Sequence, residues 1–291
     1  MLIKISKYLI YSHFLIAFAA ALQICLSYLL LGYDVNSSMA VFQGACTIVF
    51  YNLSFWASKP RYPEESIYER TRWFWHHRKW MQFISAIAFI VLLLIIKTLR
   101  LELCVYIFSI GIFSIGYMVP IIPWNGKRLS LRDVPGLKLF VICTIWTISV
   151  VGLPYLDLTL LGHPIDLGQI FYVGLSNFLF LIICTLPFDI RDAKQDAIYQ
   201  LKTIPTMIGI KRAKIICFVL LTLHFLMVVI GNLPLAIQLS MLTTDILVLA
   251  IYLYLFREKS NYIHTYILDA MLVVQSILVW GVVVFGKAWF G

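Results

Sequence analysis

The chain has 291 residues, of which 62% are hydrophobic and 13% charged; its mean hydropathy is +0.91 and its formal net charge +9. Soluble domains carry about 25% charged and about 45–50% apolar residues, so the composition excludes a pair of ordinary soluble domains and predicts an all-α, polytopic membrane bundle. The basic excess is spread over loops rather than gathered into one patch, which argues against a nucleic-acid partner.

Nine apolar runs follow one another, at about 8–31, 37–57, 80–96, 100–119, 136–156, 168–188, 213–231, 233–256 and 267–286. Each is long enough to cross a hydrocarbon core of about 30 Å as a helix. None alternates apolar and polar residues as barrel strands do. The chain therefore reads as one transmembrane domain, 1–291, with lipid as its solvent.

The first run follows Lys4 and Lys7 and is too long for a signal-peptide core, so it reads as a retained helix. The second ends in "FYNLSFWASKP", with Asn52, and opens a long loop, 58–79. That loop holds Arg61, the acids Glu64, Glu65 and Glu69, and a Trp73/Trp75/Trp80 set with basic neighbours, the pattern of an interfacial aromatic belt. His76 and His77 are adjacent and do not share a helix face, which disfavours a metal pair.

A second loop, 120–135, carries Lys127 and Arg128, and Lys138 opens the fifth run. A third, 189–212, follows the sixth run and contains Lys202. Asp245 lies mid-run in the eighth span and reads either as a functional acid or as a neutral, hydrogen-bonded one. His13, Asn177 and His224 read as satisfied bundle contacts, and Asp269 as an interfacial residue. The six cysteines all fall inside apolar runs without CxxC spacing, as small buried hydrophobes.

Of the 23 Lys and Arg residues, all but Lys97, Arg100 and Lys287 fall on one side of a nine-span topology. This positive-inside bias predicts a cytoplasmic N-terminus, in a bacterial inner membrane. The second and sixth runs both end in a polar motif followed by a long basic loop. That echo suggests two four-helix halves, about 8–119 and 136–256, plus a ninth helix at about 267–286.

The sixth run ends in "PFDIRDAKQDAIYQLKTIPTMIG". Asp189, Asp192 and Asp196 are three and four residues apart, so a helix stacks them on one face. Three carboxylates in two turns repel, and either a cation or bulk water must relieve them. A hard divalent ion such as Mg²⁺ suits the first case, since it accepts one or two carboxylates and completes its shell with water and phosphate oxygens.

The same stretch resembles the second aspartate motif of the UbiA-type intramembrane prenyltransferases. Asp192 and Asp196 supply the D-x-x-x-D pair, Lys202-Thr203 the basic-Thr pair, and Ile204, Pro205 and Gly209 the closing run. The segment "SLRDVPGLKLFVICTIWTISVVGLP", with Lys138 and Trp146, is similar to the family's fourth loop and fifth span. The resemblance implies a Mg²⁺-dependent enzyme that moves a prenyl group from an isoprenyl diphosphate to a lipid-soluble, usually aromatic, acceptor. It implies Asp189, Asp192 and Asp196 as metal and catalytic residues, with Asn52, Arg61, Lys127, Arg128, Lys138 and Lys202 around the diphosphate.

The family's first aspartate motif is degenerate here. Asn52 remains, but Leu53 and Trp56 stand where relatives carry aspartate, and Gln200 replaces a usual glycine. Glu64, Glu65 and Glu69 either replace the lost acids or pair with Arg70 and Arg72 within a loop helix. Four readings stay open: a prenyltransferase using one Mg²⁺ and basic residues, an enzyme of related chemistry on a lipid lacking a diphosphate, a catalytically inactive lipid-binding or scaffolding relative, and a transporter.

Overall fold

The structure, a computed structural model, describes residues 2–57, 62–66, 68–119, 122–124, 127–131, 134–198, 201–257 and 265–290. Helices α1 (Leu2–Tyr11), α2 (Phe14–Leu30) and α3 (Ser37–Ala57) come first. A 3₁₀ turn at Pro63–Glu65 leads to α4 (Glu69–His76), α5 (Arg78–Ile96) and α6 (Leu101–Met118). After a short antiparallel hairpin, β1 (Ile122–Trp124) and β2 (Lys127–Leu129), come α7 (Leu137–Leu160) and α8 (Leu167–Ile198). The chain closes with α9 (Ile204–Ile208), α10 (Ile210–Ile230), α11 (Leu235–Arg257) and α12 (Ile267–Phe290).

Eight of the described helices are long and apolar enough to cross a membrane, and α2 is a ninth, shorter apolar helix. Eight of the nine expected runs therefore each match one helix. The first differs: residues 8–31 are not one helix, because the chain breaks at His13 between α1 and α2. His13 is the one non-glycine residue with positive φ (67°) among the described residues. That conformation is uncommon outside glycine, and here tertiary contacts hold it. The buried ring presents Nδ1 to Asn52 Oδ1 at 2.7 Å and packs among Tyr51, Phe55 and Phe74.

Sequence neighbours pack side by side, and α12 returns against α2 to close the bundle. The contacts of α2 with α7 and of α8 with α12 cross its middle. Lipid tails give no hydrophobic drive between helices, so close packing and buried polar contacts hold such a bundle together. Both occur. Gln23 of α2 donates to the Leu272 carbonyl of α12 at 2.9 Å, and Asn177 of α8 donates to Gln23 Oε1 at 2.8 Å. One apolar cluster, with Ile24, Val150, Val173 and Val279, fills the half away from the long loops; a second, with Leu139, Ile183, Leu186 and Leu268, fills the half beneath them.

Helix α8 is the element that positions the acids. It runs ten residues past the apolar stretch, carrying the aspartate stripe on continuous helix. Pro187 lies inside it and has no N–H, which strips the Ile183 carbonyl of its helical donor. The Tyr252 hydroxyl of α11 donates to that carbonyl at 2.6 Å. The proline is thereby accommodated without leaving a buried acceptor unmet.

Candidate functional site

A cavity of about 310 Å³ opens beneath the long loops, among α2, α3, α4, α6, α7, α8 and α12. Its polar wall is made of Lys138, Asp189, Arg191, Asp192, Arg70 and Asp269; Ile16, Ile142, Trp146, Leu181 and Leu272 line its apolar depth. Tyr51, Tyr117 and Tyr266 stand between the two zones.

Lys138 reaches the site because Gly136 caps α7. Gly136 adopts φ 72°, and its N–H donates to the Lys202 carbonyl at 2.8 Å, which ties the loop before α7 to the loop after α8. Lys138 Nζ then meets Asp189 Oδ1 at 2.8 Å. Arg191 forks both oxygens of its neighbour Asp192, at 2.8 and 2.9 Å, while its guanidinium carbon lies 4.8 Å from the Phe188 ring centroid and 5.3 Å from that of Tyr266. A planar fork over aromatic faces is a geometry open to arginine and not to lysine.

The three aspartates do share one helical stripe, but they face different surroundings. Asp189 and Asp192 line the cavity, whereas Asp196 is buried beyond it, with Oδ2 accepting no hydrogen bond. Asn52 is a correction: it does not border the cavity. Its Oδ1 is taken by His13 and its Nδ2 donates to Ser85 Oγ at 2.7 Å, so both ends of the amide are spent within the bundle. Lys202 is exposed and contributes its carbonyl, while its side chain is absent from the cavity wall. Lys127 and Arg128 lie in β2, but their side chains, like Arg61 and Gln200 as a whole, fall outside the described residues.

The loop acids do not replace the missing motif. Glu64 and Glu65 are exposed on the 3₁₀ turn, and Glu69 pairs with Lys7 Nζ at 2.6 Å. The Lys7 hydrogen bond holds the Glu69 carboxyl below the usual range. His77 stacks on Trp73 with centroids 4.2 Å apart, in keeping with an aromatic belt.

Three further charged residues, from α4, α8 and α12, join the cavity wall. Asp269, expected at the interface, lines the cavity together with Arg70 and Arg191. Arg70 was assigned to intrahelical pairing, yet it points into the cavity. No periodicity signals these positions, because they are brought together from α4, α8 and α12. Asp245 lies away from the cavity: His224 Nδ1 is 2.9 Å from both its oxygens and His224 Nε2 3.1 Å from Ser176 Oγ, a buried interhelical chain.

Whether the donor set suits Mg²⁺ is decided by these partners. Among the described residues no three His, Cys, Asp or Glu side chains gather closely enough to hold a metal unaided. Asp196 keeps an unmet buried oxygen, and Asp189 shows a hydrogen bond at Oδ1 alone. Asp192 has both oxygens on Arg191, so the stripe does not form a closed metal site here, and a hard ion at Asp189 and Asp192 would need water and ligand oxygens to complete its shell. A second ion finds no carboxylate on α3, where Leu53 and Trp56 stand.

The chain is similar to two solved structures of a UbiA homolog from Archaeoglobus fulgidus. The structure bound to GPP and Mg²⁺ is 13% identical, with a TM-score of 0.51 over 94% of this chain and 99% of that one. The structure bound to DMAPP and Mg²⁺ is 12% identical, with a TM-score of 0.52 over 95% and 98%. No family model and no curated protein matches the sequence. The protein thus has the fold of UbiA homologs and is an integral, multi-pass membrane protein.

Proposed function

We propose that this protein is a divergent intramembrane prenyltransferase, taking a prenyl group from an isoprenyl diphosphate to a lipid-soluble acceptor. The observation that carries the reading is the cavity itself: cations and the aspartate stripe at its mouth, aliphatic and aromatic residues below. The two solved structures of like fold hold short prenyl diphosphates with Mg²⁺. A volume of about 310 Å³ lies at the lower end of ligand cavities, about 300–1,000 Å³, and suits a short prenyl chain.

In this reading Asp189, Asp192 and Asp196 hold one Mg²⁺ against the diphosphate. Such an ion, held by these residues, would supply charge neutralisation to a departing diphosphate. Lys138 and Arg191 hold the same anion from the α7 and α8 sides, exchanging part of their pairing with Asp189 and Asp192 for phosphate oxygens. Breaking the allylic C–O bond leaves the electron pair on the diphosphate and a positive charge on the prenyl carbon. Tyr51, Tyr117 and Trp146 offer π faces to that charge, and the apolar depth keeps water from competing with the acceptor. The acceptor carbon or heteroatom forms the new bond, and its proton leaves to a base or to solvent.

The loop-bearing end faces the cytoplasm in this proposal, in a bacterial inner membrane, and the two four-helix halves derive from one duplicated unit. The test is Mg²⁺-dependent diphosphate release from geranyl or dimethylallyl diphosphate by the purified protein. Asp192→Ala and Asp196→Ala should lower it by a factor of about a hundred or more, the scale of losing a principal electrostatic contact. Absence of release with every chain length and acceptor class tried, in wild type, would defeat the proposal. The degenerate first motif favours one second reading, a non-catalytic prenyl-lipid binder, which predicts binding of the diphosphate without turnover.

A further inference from the structure

On the side of the cavity where α3 offers no acid, a different charged group is present. Leu53 is 47% exposed on the outside of the bundle, and Trp56 packs edge-on against Trp75 at 4.8 Å. Arg70, from the first turn of α4, lines the cavity instead. Its guanidinium carbon lies 5.2 Å from the Phe55 centroid and 6.0 Å from that of Tyr266, so it sits beside the altered stretch of α3.

Arg70 also differs from the other two cavity cations. Lys138 and Arg191 each hold a carboxylate. No ion pair of Arg70 is found among the described residues, and its buried Nε has no hydrogen-bond partner. A buried guanidinium N–H without an acceptor at a cavity wall calls for an acceptor from a ligand. Its backbone is well anchored for that task. Lys7 bridges α1 to Glu69 at 2.6 Å, and Tyr8 packs edge-on against Trp73 at 5.1 Å.

We propose that Arg70 binds the diphosphate of the prenyl ligand directly, in place of the second metal ion that α3 has no acids to hold. The proposal rests on the prenyl-diphosphate reading above. Arginine suits the role because its fixed fork engages two phosphate oxygens at once and stays charged at every working pH. A lysine at the same place would provide charge without the fork.

The experiment is equilibrium binding of radiolabelled geranyl diphosphate to the purified full-length protein, in excess Mg²⁺ and in EDTA. Wild type should bind in both, more weakly in EDTA. Arg70→Ala should weaken binding about 10- to 100-fold in both conditions, the range for losing charge-assisted hydrogen bonds, and Arg70→Lys should fall between. Equal affinity of wild type and Arg70→Ala, or complete loss of wild-type binding in EDTA, would overturn the role of Arg70 while leaving the prenyl-diphosphate reading intact. No wild-type binding in either condition would remove that reading, and this inference with it. If Arg70→Ala loses its monodisperse elution profile, Arg70→Lys decides: affinity equal to wild type overturns the proposal.

Discussion

Replacing Tyr252 with Phe removes one hydroxyl and tests how α8 tolerates Pro187. The hydroxyl donates at 2.6 Å to the Ile183 carbonyl that the proline has stripped of its helical partner, and Cys217 also hydrogen-bonds to it. Tyr252 and Ile183 are fully buried, so no water takes over. An unmet buried acceptor costs about 1–3 kcal/mol in general. Measured hydrogen bonds within membrane bundles average about 0.6 and reach about 1.7 kcal/mol, which places Tyr252→Phe near 1 kcal/mol. The same change in a Pro187→Ala background should cost less than about 0.5 kcal/mol, because residue 187 then has its own N–H for the Ile183 carbonyl. Reversible SDS unfolding of the four proteins gives the coupling energy directly. If Tyr252→Phe costs the same in both backgrounds, the hydroxyl is not compensating for the proline, and the account of α8 is wrong.

Two further outcomes follow from pairs outside the cavity. Glu69 has a carboxyl held below its usual range by Lys7, so the α1–α4 contact is present above the unfolded Glu pKa of about 4.3 and weakens as pH falls through the lower folded value. A spin-label distance between α1 and α4 should stay constant from neutral pH to about 5 and widen below about 4, and Lys7→Met should remove the pH dependence; widening near neutrality would contradict the assignment. Asp245→Ala should destabilise by about 3 kcal/mol, because His224 then loses its buried partner. Asp245→Asn should cost less, and both should bind geranyl diphosphate as wild type does, since Asp245 does not border the cavity; a stable Asp245→Asn protein without diphosphate binding would show the acid to be part of the site.

The spans were legible because lipid forces long apolar helices, and composition alone marks those. The stripe of Asp189, Asp192 and Asp196 was legible because its spacing is local to one helix. What escaped was every feature set by two or more helices. The break at His13 has no glycine or proline to announce it; Asn52 and three aromatic rings stabilise it from elsewhere in the chain. Asn52 itself looked available to a ligand, and the structure shows its amide consumed by His13 and Ser85. Arg70 looked like half of an intrahelical ion pair because its acidic neighbours were visible in the sequence, while Tyr266 and Asp269 were far along the chain.

The charge arrangement of the cavity explains why those distant residues belong together. A metal ion arrives with its anionic ligand and departs with it, so acids that serve it need a cation only when the site is filled. An arginine is permanent. Once Arg70 stands in the wall, its charge persists in the empty cavity, in surroundings where an uncompensated ion is costly. Asp269, on the last helix, lines the same cavity as Arg70 and Arg191. On the Arg70 proposal, the lack of acids on α3 and the arginines of the cavity wall belong together: fixed cations would serve the diphosphate where a second metal ion has no carboxylate to hold it.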